Sequence, residues 1–283
     1  MRLRLVPQDT RFDFFSRPRL WLGISAFLMA LAFLSFLLQG LNYGIDFRGG
    51  TTIRTESAQP IDVGAYRDAL QALELGDVSI SEVFDPTFGP DQNVAMVRLA
   101  AQEGEESVSA ALIEEVRGAL QTVAPDIQFV SVESVGPKVS GELIRTAAIA
   151  VMLAIGAVLV YIWLRFEWQF ALGAVAALVH DVVLTIGIFS ELQIKFDLAI
   201  IAALLTIVGY SLNDTVVVFD RVRENLMKYK KRPLREVLNL SINETLSRTF
   251  MTSVTTLLAL ISLFVLGGDV IRGFVFAMIW GVI

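Results

Sequence analysis

The chain has 283 residues, of which 54% are hydrophobic and 18% are charged, with a formal net charge of −6 at pH 7. Together with a mean hydropathy of +0.62, this composition excludes an ordinary soluble domain and predicts a membrane protein. The sequence holds no cysteine and one histidine, so disulfides, thiolate chemistry and a multi-histidine metal site are excluded. It has no G-x-x-x-x-G-K-[ST] motif, and ATP hydrolysis is therefore not expected.

Long apolar runs predict the membrane helices. Leu20–Leu38 is an uncharged run of 19 residues, close to the roughly 20 residues that a helix needs to cross a bilayer. It is expected to be a retained anchor, because it is too long for a signal peptide and no small-residue cleavage site follows. Further spans are predicted at Ala147–Leu164, Trp168–Ser190, Leu198–Phe219 and Thr249–Gly268. The run Gly273–Ile283 is interpreted as a sixth span that the end of the sequence cuts short.

Basic residues set the expected orientation. Five arginines precede the first span, and eight lysines and arginines lie at positions 221–248, whereas the loops on the other side hold Lys195 and Arg272. The positive-inside rule therefore predicts a cytoplasmic N-terminus. Residues 40–142 then lie on the exported side, with 17 acidic and 6 basic residues. Such an acidic segment argues against nucleic acid as a partner.

The exported segment has the pattern of a small α+β domain. Alternating β-branched residues predict strands, and apolar residues at helical spacing predict helices. The elements in order are a strand at TTIRTES (51–57), a helix at Val63–Leu75, strands at VSISEVF (78–84) and NVAMVRLA (93–100) around the turn-rich DPTFGPDQ, a helix at Ser107–Val123 and a strand at IQFVSVESV (127–135). This order is the ferredoxin-like split βαβ arrangement. It leaves one sheet face free for a partner.

Three ionisable side chains fall inside the predicted spans: His180, Asp181 and Asp214. An Asp near the centre of a membrane helix costs about 2.5 to 3.5 kcal/mol, so such residues usually face a bundle interior or a wet cavity. Counting residues from the nearest charged loops places Asp214 roughly 9 to 11 Å inside the boundary, with the other two at a similar depth. One buried polar layer is expected to contain all three.

The fifth span begins with a polar stripe at helical spacing. Its members are Thr249, Thr252, Ser253 and Thr256. Arg248 precedes the stripe, and with a helix start near Ser241 it is expected to reach a carboxylate on the fourth helix. The hydroxyls either order a file of water or serve as packing contacts bonded to their own helix. The alternative for Arg248 is that of an ordinary topology-setting charge whose side chain extends (snorkels) to the membrane surface.

Asp214 and Arg248 together suggest a proton switch. Low dielectric favours a neutral carboxyl group and a neighbouring arginine favours the charged one, so the charge state depends on whether the two are in contact. In this hypothesis, protonation of Asp214 from the exported side releases Arg248, and deprotonation toward the cytoplasm resets it. Each charge crossing 100 mV provides about 2.3 kcal/mol. His180 and Asp181 are candidates for a supporting role, and purely structural hydrogen bonding is the alternative for all three membrane groups.

Several motifs carry a resemblance to a known family. They are NYGIDFRGGT (42–51), VGPKVSGEL (135–143), ALVHDVVLTIGIFS (177–190), IVGYSLNDTVVVFDRVREN (207–225) and SINETLSRTFMTS (241–253). Jointly they resemble the SecD/SecF family of bacterial protein-export proteins across nearly the whole chain. The short exported segment of roughly 100 residues is similar to the SecF branch, because the exported region of SecD is several times larger.

The resemblance implies a mainly α membrane protein: a six-helix RND-like bundle, its last helix truncated, with a ferredoxin-like periplasmic domain inserted after helix 1. The implied organisation is a cytoplasmic N-terminus at 1–19, transmembrane helix 1 at 20–39, the periplasmic domain at 40–141, and helices 2–6 at 142–283 with a basic cytoplasmic loop at about 220–240. The implied location is the bacterial inner membrane.

The implied function is that of a non-enzymatic accessory subunit of Sec export that uses the proton-motive force and needs no cofactor. The implied partners are SecD, the SecYEG channel, YajC, unfolded preprotein and membrane lipids. Asp214 matches the family's proton-relay Asp and Arg248 its essential Arg, and the relay also involves a carboxylate supplied by SecD. The role of His180 and Asp181 stays less defined.

Alternatives remain from the residues themselves. An RND-type exporter of small molecules or lipids shares the logic of ionisable membrane residues, and a scaffold that moves no protons would also carry this bundle. The coupled ion is either H⁺ or Na⁺. In GIDFRGG, the glycines permit a tight backbone course and Asp46 is expected to pair locally with Arg48, with direct substrate contact as the other interpretation.

Overall fold

The computed structural model describes residues 10–73, 75, 78–83, 89, 92–100 and 109–283. Within these residues the chain forms a helical bundle and a small sheet, as the sequence predicts. The helices are α1 (Pro18–Gln39), α2 (Ile45–Arg48), α3 (Val63–Gln71), α4 (Ala110–Gln121), α5 (Pro137–Arg165), α6 (Trp168–Glu191), α7 (Leu198–Lys228), α8 (Leu234–Leu266) and α9 (Asp269–Val282). The strands are β1 (Gly50–Ser57), β2 (Val78–Val83), β3 (Asn93–Leu99) and β4 (Gln128–Val135).

The four strands form one antiparallel sheet in the order β2-β3-β1-β4. Ile53 at the centre of β1 pairs with Val97 on one side and Val132 on the other. This order confirms the ferredoxin-like prediction. The helix expected to reach Leu75 ends earlier, at Gln71. Ser107, Val108 and most of the DPTFGPDQ turn lie outside the described residues.

The domain core forms where α3 and α4 cover one face of the sheet. Odd-numbered positions of β1 and β3 face this core, as the two-residue period of a strand requires. The fully buried side chains include Ile53, Val97, Tyr66, Leu70, Val116 and Leu120. Asp62 and Ser109 accept hydrogen bonds from first-turn amides and so cap α3 and α4.

The opposite face of the sheet, which was expected to be free for a partner, faces the bundle over its central strands, whereas Ser79 and Ser81 of β2 are exposed. It forms one wall of a cavity of about 590 Å³, whose other wall comes from the α6–α7 connection and the start of α9. The even-numbered residues of the central strands line this cavity, among them Thr52, Arg54 and Arg98. The domain therefore meets the bundle through a polar sheet face.

Five helices, α1 and α5 to α8, are long and apolar enough to cross a membrane, and α9 is a shorter apolar helix. Helix α7 packs on α6, α8 and α9, α5 packs on α6 and α7, and α1 packs on α6. Phe189, Ile200, Ala203, Ile207 and Ala277 form the buried centre of the bundle. The mainly α membrane fold with an inserted α+β domain is thus confirmed.

The helices extend further than the apolar runs indicate. Helix α7 continues to Lys228 and α8 begins at Leu234, so the basic segment expected as a loop at about 220–240 is helical except at 229–233. Charged residues are tolerated in a helix once it leaves the apolar layer, which is why the hydropathy boundary and the helix end differ. We call the end of the bundle that carries residues 220–240 the basic end, and the opposite end, next to the α+β domain, the domain end.

Helix α1 lies close against α6 at Gly187. A Cβ at this position would come within 2.7 Å of the Cα of Ala32. Small residues permit this backbone approach between membrane helices, where van der Waals packing drives association.

We expect Gly187→Ala to destabilise the bundle, because overpacking a tight contact costs about 1–3 kcal/mol. Gly156→Ala in α5 is the matched control: a Cβ there would meet no atom within 4 Å, and removing a helical glycine normally stabilises by about 0.5–1 kcal/mol. Thermal unfolding in detergent should therefore give shifts of opposite sign. Equal shifts for the two variants would contradict the close α1–α6 contact.

Candidate functional site

A cavity of about 520 Å³ lies among α6, α7, α8 and α9, and Asp181 and Asp214 both line it. On α6, Gly173 and Ala177 precede Asp181 at four-residue intervals and line the same cavity. This spacing places all three on one helix face. Two small residues followed by an acid leave space in front of the carboxylate.

Helix α7 contributes the facing wall. Ser211 and Asp214 are one turn apart and point into the cavity together. The Ser211 hydroxyl donates a hydrogen bond of 2.7 Å to Oδ2 of Asp181, which joins α7 to α6 within the apolar bundle. A hydrogen bond to a charged group contributes about 1.5–3 kcal/mol, so this contact fixes the position of Asp181.

The two carboxylates differ in how firmly they are held. Oδ1 of Asp181 lies 3.1 Å from Nδ1 of His180, so Asp181 has a partner for each oxygen. Asp214 receives one longer hydrogen bond of 3.4 Å, from the Asn213 side chain. Asp181 is therefore fixed in place, whereas Asp214 is half-buried with most of its hydrogen-bonding capacity directed at the cavity.

Thr249, Thr252 and Ser253 of the polar stripe on α8 line the cavity, bond to their own helix, or do both. Thr249 and Ser253 line the cavity, and Ser253 lies 3.4 Å from the Tyr210 hydroxyl of α7. The Thr249 hydroxyl donates to the carbonyl of Leu246 at 3.2 Å, and that of Thr252 donates to the carbonyl of Thr249 at 2.8 Å. Those two hydroxyls thus bond to their own helix, as the packing interpretation expects.

Arg248 lies outside this cavity. The residue is exposed, and among the described residues no carboxylate lies within 4.0 Å of it, so the expected contact with Asp214 is not formed in this structure. Successive helical side chains point about 100° apart, so with Thr249 facing the cavity, Arg248 points to one side of it. It lines two neighbouring cavities together with Arg221 and Glu244. Arg248 also lies about 21 Å along α8 from Leu234, deeper than a start near Ser241 implies.

Sequence reasoning missed a polar network where Arg248 does lie. Oε2 of Glu244 on α8 is 2.7 Å from Nε of Arg221 and 2.7 Å from Nδ2 of Asn225, both on α7. Asn225 also donates to the Ser241 hydroxyl at 3.0 Å. The signal was present in the spacing, because Arg221 and Asn225 are four residues apart and Ser241 and Glu244 three, which places each pair on one helix face.

The GIDFRGG motif connects the domain to helix α7. Its first residues form α2, and the Gly44 amide donates to the carbonyl of Phe196 at 2.8 Å. Oδ2 of Asp46 accepts a hydrogen bond of 3.0 Å from the amide of Leu198. That amide is the first of α7, one of the amides that lack a partner within a helix. Asp46 therefore caps α7, and the local ion pair expected with Arg48 is not formed.

Two charged groups beside this cap are partly withdrawn from water. Burial lowers the pKa of Lys195, with Arg98 adding to the effect, and burial raises the pKa of Asp197. Nζ of Lys195 lies 3.9 Å from Oδ2 of Asp197, which is too long for a strong hydrogen bond. Asp197 also accepts from the Ala199 amide at 3.1 Å. The start of α7 thus has two carboxylate caps, one local and one from the motif.

The described residues hold no group of three or more His, Asp or Glu side chains that would bind a metal ion. What they do show is a multi-pass membrane protein whose bundle encloses two carboxylates and whose α+β domain is inserted after the first helix.

Comparison with known families agrees with this class. The family model described as "Protein export membrane protein SecD/SecF, C-terminal" matches residues 115–283, and the "SecD/SecF GG Motif" model matches residues 34–61. The chain belongs to the SecD/SecF family of protein-export membrane proteins.

Individual relatives give the same result. The chain is 64% identical over 282 residues to a protein translocase subunit SecF of Cereibacter sphaeroides, covering 100% of this chain and 87% of the relative. It is 60% identical to the SecF subunit of Rhodobacter capsulatus, covering 99% and 86%.

Two solved structures are similar to this one. A crystal structure of SecDF, a translocon-associated membrane protein from Thermus thermophilus, gives a TM-score of 0.85 at 35% identity, covering 98% of this chain. SecDF in a super-membrane-facing form gives 0.69 at 37% identity over 97% of this chain. This chain spans 37% and 36% of the lengths of those two chains.

We expect Asp46→Ala to expose the first amide of α7 and to cost about 0.5–2 kcal/mol of stability, as for other lost N-caps. Hydrogen exchange at the start of α7 should accelerate while α8 is unchanged. Asp68→Ala on the exposed surface of α3 removes the same charge and serves as the control. Unchanged exchange in Asp46→Ala would show that the motif does not hold α7.

Proposed function

We propose that this chain is a SecF-type subunit that uses the proton-motive force to assist the export of unfolded preproteins. It acts without enzymatic chemistry or a cofactor, in complex with SecD and in association with SecYEG and YajC in the bacterial inner membrane. The observation that carries the proposal is the cavity shared by Asp181 and Asp214 inside the bundle. Carboxylates are costly in a membrane, and those that occur there usually mark an ion pathway or take part in a hydrogen-bond network.

Asp214 is the group that exchanges the proton. Asp181 is held by Ser211 and His180, whereas Asp214 has a single long hydrogen bond, so a change in its protonation breaks few contacts. A protonated Asp214 does not attract Arg248, which corresponds to the separation seen here. A deprotonated Asp214 attracts the guanidinium, and movement of α8 toward α7 would bring the two together.

Helix α7 links this site to the exported domain. Asp214 lies about 24 Å along α7 from Leu198, whose amide is capped by Asp46 at 3.0 Å. Strand β1 begins at Gly50, the last residue of the motif. A shift of α7 therefore displaces the segment from which the sheet starts.

The orientation and partners rest on further observations. The lysines and arginines at the basic end of the bundle favour a cytoplasmic location for that end. This chain covers about a third of the SecDF chains, so the remaining helices, including a second relay carboxylate, are assigned to SecD. Membership of the protein-export family disfavours the RND exporter alternative. Measurements of ion flux distinguish the proposed proton coupling from coupling to Na⁺ and from a scaffold that moves no protons.

We expect Asp214→Asn to reduce proton flux to the background level in proteoliposomes that contain this chain and SecD. The substitution keeps the size and removes the titratable group. Asp220→Asn is the control on the same helix: Asp220 pairs with Arg165 at 2.7 Å, both side chains are exposed, and such pairs contribute about 1 kcal/mol or less. Flux is measured with a pH-sensitive dye under a proton gradient, and again under a sodium gradient alone. Intact flux in Asp214→Asn would contradict proton transfer through this residue.

We expect Arg248→Ala to lower preprotein export driven by the gradient by about tenfold or more, the loss of one ionic contact. Arg248→Lys should retain part of the activity because it keeps the charge and loses the planar fork. Arg235→Ala removes an arginine from the same helix whose partner is Asp13 at 2.6 Å, and export should stay near normal. Equal losses of export in Arg248→Ala and Arg235→Ala would point to general charge loss and refute a specific role.

A further inference from the structure

A further charged cavity, of about 610 Å³, lies at the basic end of the bundle, where α5 ends, α6 begins and α7 leaves the apolar layer. It is separate from the carboxylate site. Its polar lining residues are Arg165, Glu167, Arg223 and Lys230, and its apolar ones include Phe170 and Leu226. Three cations against one acid give the cavity a positive balance, and the apolar side chains give it a hydrophobic floor.

Two of the cations are available to a ligand. Among the described residues, Arg223 and Lys230 have no carboxylate within 4.0 Å, and Arg223 donates to the main-chain oxygen of Arg165 at 3.5 Å, which leaves most of its five N–H groups for other acceptors. Arg165 is already paired with Asp220 at 2.7 Å. The cavity therefore offers a fork and a point charge for an anion.

Exposed aromatic side chains place the cavity at the membrane surface. Trp163 near the end of α5 is 65% exposed and Trp168 at the start of α6 is 61% exposed. Tryptophan collects at the level of the lipid headgroups, where its ring is apolar and its N–H is wet. Leu164 beside the cavity is 76% exposed, as expected of a side chain that contacts acyl chains.

We propose that this cavity binds the headgroup of an anionic phospholipid, with the phosphate between Arg223 and Lys230 and the acyl chains along Leu226 and Phe170. Charge complementarity and position both favour a lipid, since basic pockets between membrane helices on the cytoplasmic side are a common site for such headgroups. The first-turn amides of α6, at the cavity rim, add positive potential. This binding would fix the junction of α5, α6 and α7.

The test uses the full chain in bilayers of phosphatidylcholine and phosphatidylglycerol, alone and with SecD. Trp21→Phe and Trp280→Phe leave Trp163 and Trp168 as the fluorophores, and brominated phosphatidylglycerol or brominated phosphatidylcholine is the quencher. We expect stronger quenching by the anionic lipid. Arg223→Gln with Lys230→Gln should lower this preference roughly fivefold for each cation at low salt, from about 1 kcal/mol per charge.

The control removes the same charge at the same level. Lys228 and Lys231 do not line the cavity. The double variant Lys228→Gln with Lys231→Gln should therefore keep the preference for the anionic lipid that the unsubstituted chain shows. Glu167→Gln should raise the preference, and the Glu167 side chain makes no capping hydrogen bond to α6, so this variant serves if the double variant does not fold. Equal losses in both double variants would indicate diffuse attraction only. Displacement by inorganic phosphate at constant ionic strength, or loss of the preference when SecD is present, would also overturn the proposal.

Discussion

Polar groups inside an apolar bundle need hydrogen-bond partners or water, and this constraint determines the arrangement around the two membrane carboxylates. Ser211 and His180 satisfy both oxygens of Asp181. Asp214, one turn from Ser211, keeps a single hydrogen bond of 3.4 Å and faces the cavity. The small side chain of Ala177 leaves space there. The two acids are therefore supported unequally, and the proposed mechanism depends on this difference, with Asp181 as the fixed group and Asp214 as the group that exchanges the proton.

The same constraint acts at the two ends of helix α7, where main-chain and side-chain polar groups also need hydrogen-bond partners. Asp46 caps the domain end through the Leu198 amide, and Asn225 bonds to Glu244 at the basic end. One contact ties α7 to the α+β domain, and the other ties it to helix α8. In the proposed mechanism, α7 moves as one element because it is held at both ends, and a change at Asp214 reaches both attachments.

Much of this was predictable because membrane burial leaves clear marks in a sequence. Uncharged runs gave the spans, strand alternation gave the sheet order of the domain, and the rarity of acids in apolar runs pointed to Asp181 and Asp214. The helix ends were not predictable from hydropathy, since an apolar run marks the bilayer and α7 continues to Lys228 beyond it. The Asp46 cap joins residues 46 and 198, which no local pattern connects. The side to which Arg248 points depends on how α8 is rotated about its own axis relative to α7. Spacing within one helix fixes the angle of about 100° between adjacent side chains but does not set that rotation.

The contacts between α7 and α8 indicate how Arg248 would reach Asp214. Near the cavity, the Tyr210–Ser253 contact is 3.4 Å, close to the limit of a hydrogen bond and therefore weak. At the basic end, Glu244 makes contacts of 2.7 Å with Arg221 and Asn225. Movement that breaks the weak contact and keeps the strong ones is a rotation of α8 about its basic end. Arg248 is one turn beyond Glu244 along α8, so it lies close to this fixed point, and the length of its side chain, rather than a large displacement of the helix axis, would carry the guanidinium toward α7.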